Sequence, residues 1–412
     1  MGEYINKYAN SAAIQNAVDG GELIKPYVAL DESTGLIDWN SKKANYSKMY
    51  FTVEALSDGD FIVRNSGLGY SINNGEWQTT SANPTTLALS TGDKVRFKGS
   101  VGNGNNLFSG NTLQFNVIGN IMSLKYGDNF SGQTTEFLNQ NIFRGCTGLT
   151  DASNLILPAT TLAYGCYQEM FANCRSLTTA PELPATTLRE NCYMNMFAGC
   201  ASLTTAPSLP ATTLASGCCT YMFAGCTSLT TAPELPATTL RENCYQEMFS
   251  GCTSLTTAPE LPATTLAGSC YRGMFSGCTS LTTAPELPVT TLAYGCYQEM
   301  FAGCTSLTTA PALPATTLVG YCYSSMFYNC TSLTKAPELP ATTLTSYCYQ
   351  EMFRGCTKLN YIKCLATDIS ASNCTKNWVY NVTSTGTFVT PSSTAWTTSY
   401  YGIPNGWTRV DA

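Results

Sequence analysis

The chain has 412 residues, room for two or three domains, of which 44% are apolar and only 12% charged. Its net charge of −6 argues against a nucleic-acid surface, which needs clustered Lys and Arg. It contains no histidine, which removes the commonest general base, the Ser-His and Cys-His nucleophile pairs and every imidazole metal ligand. A surface so short of charge has to be built from Thr, Ser, Asn and Gln, whose hydroxyls and amides suit wet contacts with glycans or proteins. No catalytic site, metal site or cofactor is expected.

Residues 1–40 read as a separate leader, with a short helix over Asn10–Val18 and a strand at KPYVALD. They lack the apolar core of a secretory signal, and Asn6 stands where myristoylation wants Ser or Thr. No apolar run in the chain approaches transmembrane length, so no membrane insertion is expected. Residues 41–127 read as a small all-β, sandwich-like domain. Its strands are YFTVEAL, DFIVR, GYSINNGEWQTT, TTLALSTGDKVRFKGS and TLQFNVIGNIMSLKYG, with a hairpin signal at Asn73-Asn74-Gly75.

From 128 to 374 the chain repeats itself. Met-Phe pairs begin at Met170, Met196, Met222, Met248, Met274, Met300, Met326 and Met352, always 26 apart, and Ile142-Phe143 is an earlier relative. Within one coil Cys166, Met170, Phe171, Cys174 and Leu177 mark one face of a short helix running into an extended turn. LTTA then reads as a short strand closed by proline, and ATTL as a second extended piece. One coil cannot bury such a face alone, whereas stacked coils share a core.

The twenty cysteines form two columns of nine, with Cys219 and Cys364 left over. A disulfide ladder is conceivable, since stacked residues lie roughly 5 Å apart. Nine members cannot all pair, however, and metal binding would want local Cys-x-x-Cys pairs with His. Free thiols acting as small buried hydrophobes fit best.

The positions that differ between coils sit ahead of the first cysteine of each coil and just after it. Tyr164, Arg189, Glu190, Arg241, Glu242, Arg272, Tyr294, Tyr321 and Tyr347 form the candidate recognition surface, because tyrosine gives contact area at low entropic cost. The bland reading of the same positions is exposed drift. Thr178-Thr179 and their successors make two threonine columns, and Glu182, Glu234, Glu260, Glu286 and Glu338 an acidic one expected to face water. Threonine arrays raise an ice-binding alternative, which the opposite facing of adjacent strand residues weakens. Residues 375–412, with Trp378, Phe388, Trp396 and Trp407, are expected to cap the open apolar end.

The pattern MF-x-GC-T-SL-T followed by a Leu-Pro turn, as in Met248–Thr256 and Leu261-Pro262, resembles the BspA-like leucine-rich repeats of bacterial surface proteins. The unit here is longer, with a double proline, and Ala180 stands where the commonest form has a strand Ile. The opening GGELIKPYVALDESTGLIDWN and the segments STGDKVRFKGS and FNVIGNIMSLKYG resemble stretches found ahead of such repeats in Bacteroides-type gut bacteria and their phages. The resemblance implies an α/β repeat fold, a leucine-rich-repeat-like solenoid of about nine coils, preceded by the β domain. It implies adhesion or host-surface recognition, and it carries over no catalytic residues. With no export signal, the expectation is a phage virion protein. Its solenoid would bind a host cell-surface glycan or protein, and residues 1–40 would dock it to other virion proteins. A BspA-type bacterial cell-surface adhesin is the alternative. A glycan-active enzyme with paired carboxylates is the weaker one.

Overall fold

The computed structural model describes residues 45–99, 101, 106–109, 112–134 and 141–412. The leader expected at 1–40 lies outside them. The N-terminal region holds β1 (Phe51–Ala55), β2 (Gly59–Val63), β3 (Gly69–Ile72), β4 (Gln78–Thr79), β5 (Thr85–Leu89), β6 (Lys94–Lys98), β7 (Phe108–Ser109) and β8 (Phe115–Asn120). Alternation sets the faces: Phe51, Val53 and Ala55 of β1 are buried, as are Val95 and Phe97 of its partner β6. The turn after β3 has Asn73 at φ 51° and Asn74 at φ 62°, a left-handed pair that asparagine tolerates. β5, β2 and β7 form a second sheet, and between the sheets Phe108 packs its ring 5.2–5.7 Å from Phe51, Phe61, Phe97 and Phe143. A short helix, α1 (Ser123–Tyr126), is tied to this core through Ser123 Oγ, which accepts from Phe51 N and donates to Phe97 O.

The first sheet does not end with the β region. β8 pairs in parallel with β9 (Leu149–Ile156), giving the order β4-β3-β6-β1-β8-β9. Asp151 of β9 bridges Thr179, and a column of single-residue parallel bridges continues through Thr205 and Thr231 and again through Thr257, Thr283 and Thr309. Regular strands resume in β10 (Lys335–Leu339), β11 (Tyr361–Cys364), β12 (Thr387–Thr390) and β13 (Thr408–Asp411), all parallel. A second bridge column runs through Thr161, Thr187 and Thr213 and through Thr239 and Thr265. Both extended pieces of the coil therefore exist. Most coils bridge through one residue in each, while β10 extends to five around Pro337, with its register to β11 shifting between Lys335 and Glu338.

The expected helix in each coil is not there. Among the described residues of the repeat region there are turns in its place. In one coil Asn191, Asn195 and Gly199 take positive φ (55°, 55° and 74°), one left-handed residue every four. The backbone N–H groups of Tyr193, Asn195, Phe197 and Gly199 donate to Cys218, Thr220, Met222 and Ala224 of the next coil at 2.7–2.9 Å. Those of Met194, Met196, Ala198 and Cys200 donate three residues back. An α-helix would consume all its N–H groups internally and hold its neighbour about 8–10 Å away. This turn ladder spends half of them between coils, and the stacked rings of Phe171 and Phe197 lie only 5.4 Å apart. That is close to the strand spacing of about 4.8 Å on the other side, so the two sides of each coil match in thickness.

The core is a set of columns. Phe143, Phe171, Phe197, Phe223, Phe249, Phe275, Phe301, Phe327 and Phe353 stack in sequence, fully buried. A tyrosine column runs beside it, with Cys219 taking one tyrosine's place. Trp378 ends both columns, 6.2 Å from Tyr349 and 6.2 Å from Phe353, and Trp396 stacks on its far side at 5.5 Å. Trp378, Phe388, Trp396 and Trp407 are all buried, sealing the last coil.

Candidate recognition surface

All twenty cysteines are buried free thiols. From Cys174 on, each Sγ of the second column donates to the carbonyl of a phenylalanine in the coil before: Cys174 to Phe143 at 2.9 Å, Cys200 to Phe171 at 3.1 Å, and so on to Cys356 and Phe327 at 3.0 Å. Cys146, which opens the column, donates to the carbonyl of Phe108 in β7 at 3.1 Å. Burial pushes the Cys296 thiol up to about 11 and those of Cys270, Cys278 and Cys356 to about 12. These thiols hold their protons and face no solvent, so they are structural rather than reactive.

The strand side is also structural. Both threonines of each pair are exposed, Thr178 with Thr179 and Thr282 with Thr283. This corrects the expectation that adjacent threonines face opposite ways: one bridging residue per coil is too short for a strand's alternation to apply. The first hydroxyl of the pair is turned back onto the stack, Thr178, Thr230 and Thr282 donating to the carbonyls of Thr150, Thr204 and Thr256. Glu182, Glu234, Glu260, Glu286 and Glu338 are exposed, and Glu338 pairs with Lys363 at 3.1 Å.

The triplets ahead of the first cysteine column lie where the turn ladder begins, not at a helix entrance. Their third position is the first left-handed residue of each coil. Gly165, Asn191, Gly217, Asn243, Ser269, Gly295 and Asn373 fill it in seven coils, all with positive φ. Tyr321 and Tyr347 fill it in the other two, at φ 59° and 61°. A bulky side chain there costs about 1–2 kcal/mol relative to an ordinary conformation. The variability is thus partly a backbone requirement that Gly and Asn meet cheaply, and the two tyrosines go against it.

The nine candidate residues do not form one site. Tyr294, Tyr321 and Tyr347 come together, with ring centroids 5.4 Å and then 4.5 Å apart, the second pair stacked within 7°. Tyr164 is 62% exposed but stands five coils away from Tyr294, its hydroxyl accepting from Asn191 Nδ2. Arg189-Glu190 and Arg241-Glu242 are exposed and separated from each other by an uncharged coil. Arg272 lies on the neighbouring column, 3.7 Å from Glu299. One exposed group escaped the sequence reading. Tyr380, Tyr400 and Tyr401 cluster at the capped end, and Arg354 lies over the rings of Tyr328 and Tyr380. The signal was available in the column after Met-Phe, which holds Ala or Ser from Ala172 to Ala302 and then Tyr328, Arg354 and Tyr380.

Comparison with protein families matches six copies of the BspA type leucine-rich repeat region, over residues 129–256, 191–308 and 271–400. The chain belongs to the BspA-type leucine-rich-repeat family. Such repeats are typical of surface and adhesion proteins, in a family of binding modules that are typically not enzymes. No curated protein and no solved structure matched the chain. Among the described residues no helix is long and apolar enough to cross a membrane.

Proposed function

We propose that this BspA-type repeat protein is a non-catalytic recognition protein of a phage particle. It binds a host surface component through the cluster of Tyr294, Tyr321 and Tyr347. The observation that carries this reading is Tyr321 and Tyr347 in the left-handed position. Gly, Asn or Ser fills that position in the other seven coils, and strain retained in a half-buried tyrosine pair beside the exposed Tyr294 points to use. Residues 1–40 attach the protein to other virion proteins, and its working place is the virion surface. The resemblance of its opening segments and β region to stretches ahead of such repeats in gut bacteria and their phages fits this reading, and a bacterial cell-surface adhesin of the same repeat type is the second one.

Replacing Tyr294, Tyr321 and Tyr347 together with alanine is expected to weaken binding to cells of the host strain at least about tenfold, the loss of a hot-spot aromatic, with little change in melting temperature. Unchanged binding removes the reading. Lost binding with a lowered melting temperature assigns the rings to the core instead. Purified particles of the phage, probed with an antibody to the β region, separate the virion reading from the cell-surface one.

A further inference from the structure

The tyrosine cluster also carries information about what it binds. Its surroundings are uncharged over five successive coils: the triplets Ala267-Gly268-Ser269, Ala293-Tyr294-Gly295, Val319-Gly320-Tyr321, Thr345-Ser346-Tyr347 and Ala371-Ser372-Asn373 contain no Asp, Glu, Lys or Arg. Earlier coils break that rule with Arg189-Glu190 and Arg241-Glu242. On the adjoining columns Arg272 is paired with Glu299, and Arg354 with Glu351 at 2.8 Å. The surface around the rings thus offers hydroxyls and apolar carbon.

Tyr294 lies along the next coil. A Cβ on Gly320 would stand 3.4 Å from its Cε2 and 3.6 Å from its Cδ2, ordinary contact distances that place the ring directly over that coil. The ring stays 61% exposed. Beside it, Tyr321 and Tyr347 stack on each other and present two phenols at the pitch of the coils, with the exposed Ser346 between them in sequence.

We propose that this shelf takes a neutral glycan, a proposal that rests on the recognition reading above and names its ligand. A pyranose has one face of C–H groups, weakly positive and apolar, and a rim of hydroxyls. The C–H face packs on the electron-rich face of Tyr294. The rim hydroxyls exchange hydrogen bonds with the phenols of Tyr321 and Tyr347, each of which is both donor and acceptor. A protein partner fits less well. A stable protein interface buries about 800 Å² on each side and centres on a desolvated anchor ringed by other contacts, whereas this cluster is a narrow row along the stack. An anionic polysaccharide fits least, since Arg272 and Arg354 are paired with Glu299 and Glu351 and the half-buried Lys376, on the coil after Tyr347, is a single charge.

The test uses the full chain and saturation-transfer NMR from its aromatic protons. The probes are linear neutral hexasaccharides of gluco, manno, galacto and xylo configuration, with a heparin hexasaccharide as the anionic control. Transfer to at least one neutral sugar is expected and none to heparin, with affinity unchanged from about 50 mM to about 500 mM salt because no charges are screened. Tyr294→Phe keeps the ring face and should keep binding. Tyr294→Ala should lose at least about tenfold, and Tyr321→Phe with Tyr347→Phe severalfold, at unchanged folding by circular dichroism. No transfer to any neutral sugar, transfer to heparin alone, or full binding by Tyr294→Ala would overturn the inference. Host cells separate its failure from that of the recognition reading. Wild-type binding that survives periodate but not protease means a protein receptor and sinks only the glycan, whereas undiminished binding by the triple alanine variant sinks both.

Discussion

The β region and the coil stack share one sheet and one continuous core, yet they reach a defined packing by opposite routes. In the β region every aromatic has its own angle: Phe61 meets Phe97 at 44°, Phe108 at 33° and Phe115 at 79°. In the stack Phe171 and Phe197 lie within 1° and Phe327 and Phe353 within 3°. The β region from Phe51 to Asn120 contains no cysteine, while all twenty lie from Cys146 onward. Irregular packing couples each ring to several others at once. Repetition couples each coil only to the two beside it, and it demands one small apolar group that fits every coil, which cysteine supplies.

The largest expected effect follows from the thiols. Burial raises their folded pKa values above the ordinary thiol value of 9.0, to about 11 in Cys296 and about 12 in Cys270, Cys278, Cys348, Cys356 and Cys364. Below pH 9 folded and unfolded chains both hold these protons and stability is complete. Above it the unfolded chain releases them first and stability falls as pH climbs toward the folded values. A pKa raised by one pH unit corresponds to about 1.4 kcal/mol, so several thiols together exceed an ordinary domain's stability. Hydrogen exchange across pH 8 to 11 should show protection collapsing in the stack before the β region. Simultaneous loss would contradict the division drawn between them.

Next in size are the rings. Phe249→Ala and Phe108→Ala should each cost about 3–5 kcal/mol, as large buried truncations do, but with different reach. Phe249→Ala should raise exchange in the coils of Phe223, Phe249 and Phe275 and leave the β region alone. Phe108→Ala, at the meeting of four rings, should loosen both sheets and the first coil. Equal reach for the two variants would show that the stack is not a nearest-neighbour structure.

The smallest effect compares two glycines. Gly251 (φ 72°) has its nearest neighbour, Gly225 N, 3.6 Å from the place of a Cβ, so Gly251→Ala should lose only the conformational term of about 1–2 kcal/mol. Gly119 (φ 82°) has the backbone of Tyr50 where its Cβ would stand, so Gly119→Ala should lose more by denaturant unfolding. A larger loss at Gly251 would mean the turn ladder tolerates less than its spacing implies.

Much of this was legible in the residues. The 26-residue register named the core columns of Cys166, Met170, Phe171, Cys174 and Leu177 but not those of Tyr167, Leu183, Ala185 and Leu188, while the tail's tryptophans named the cap and Asn73-Asn74-Gly75 its turn. The helix was misread because inward residues at Cys166, Met170 and Cys174 recur every four, and across nine residues that period is hard to tell from 3.6. The correction was latent in Gly165, Asn173, Asn191 and Gly199, poor helix formers recurring at the left-handed positions between the inward residues. The recognition residues were legible as variable but not as a cluster, since variability does not say which side chains touch.

By itself the sequence determined that the chain repeats, which residues turn inward and that cysteines replace larger hydrophobes, because burial acts on each position's own chemistry. Only the tertiary structure decided where the backbone N–H groups go. A turn and a helix bury the same side chains, and the choice between them rests on whether a neighbouring coil stands close enough to accept half of those hydrogen bonds.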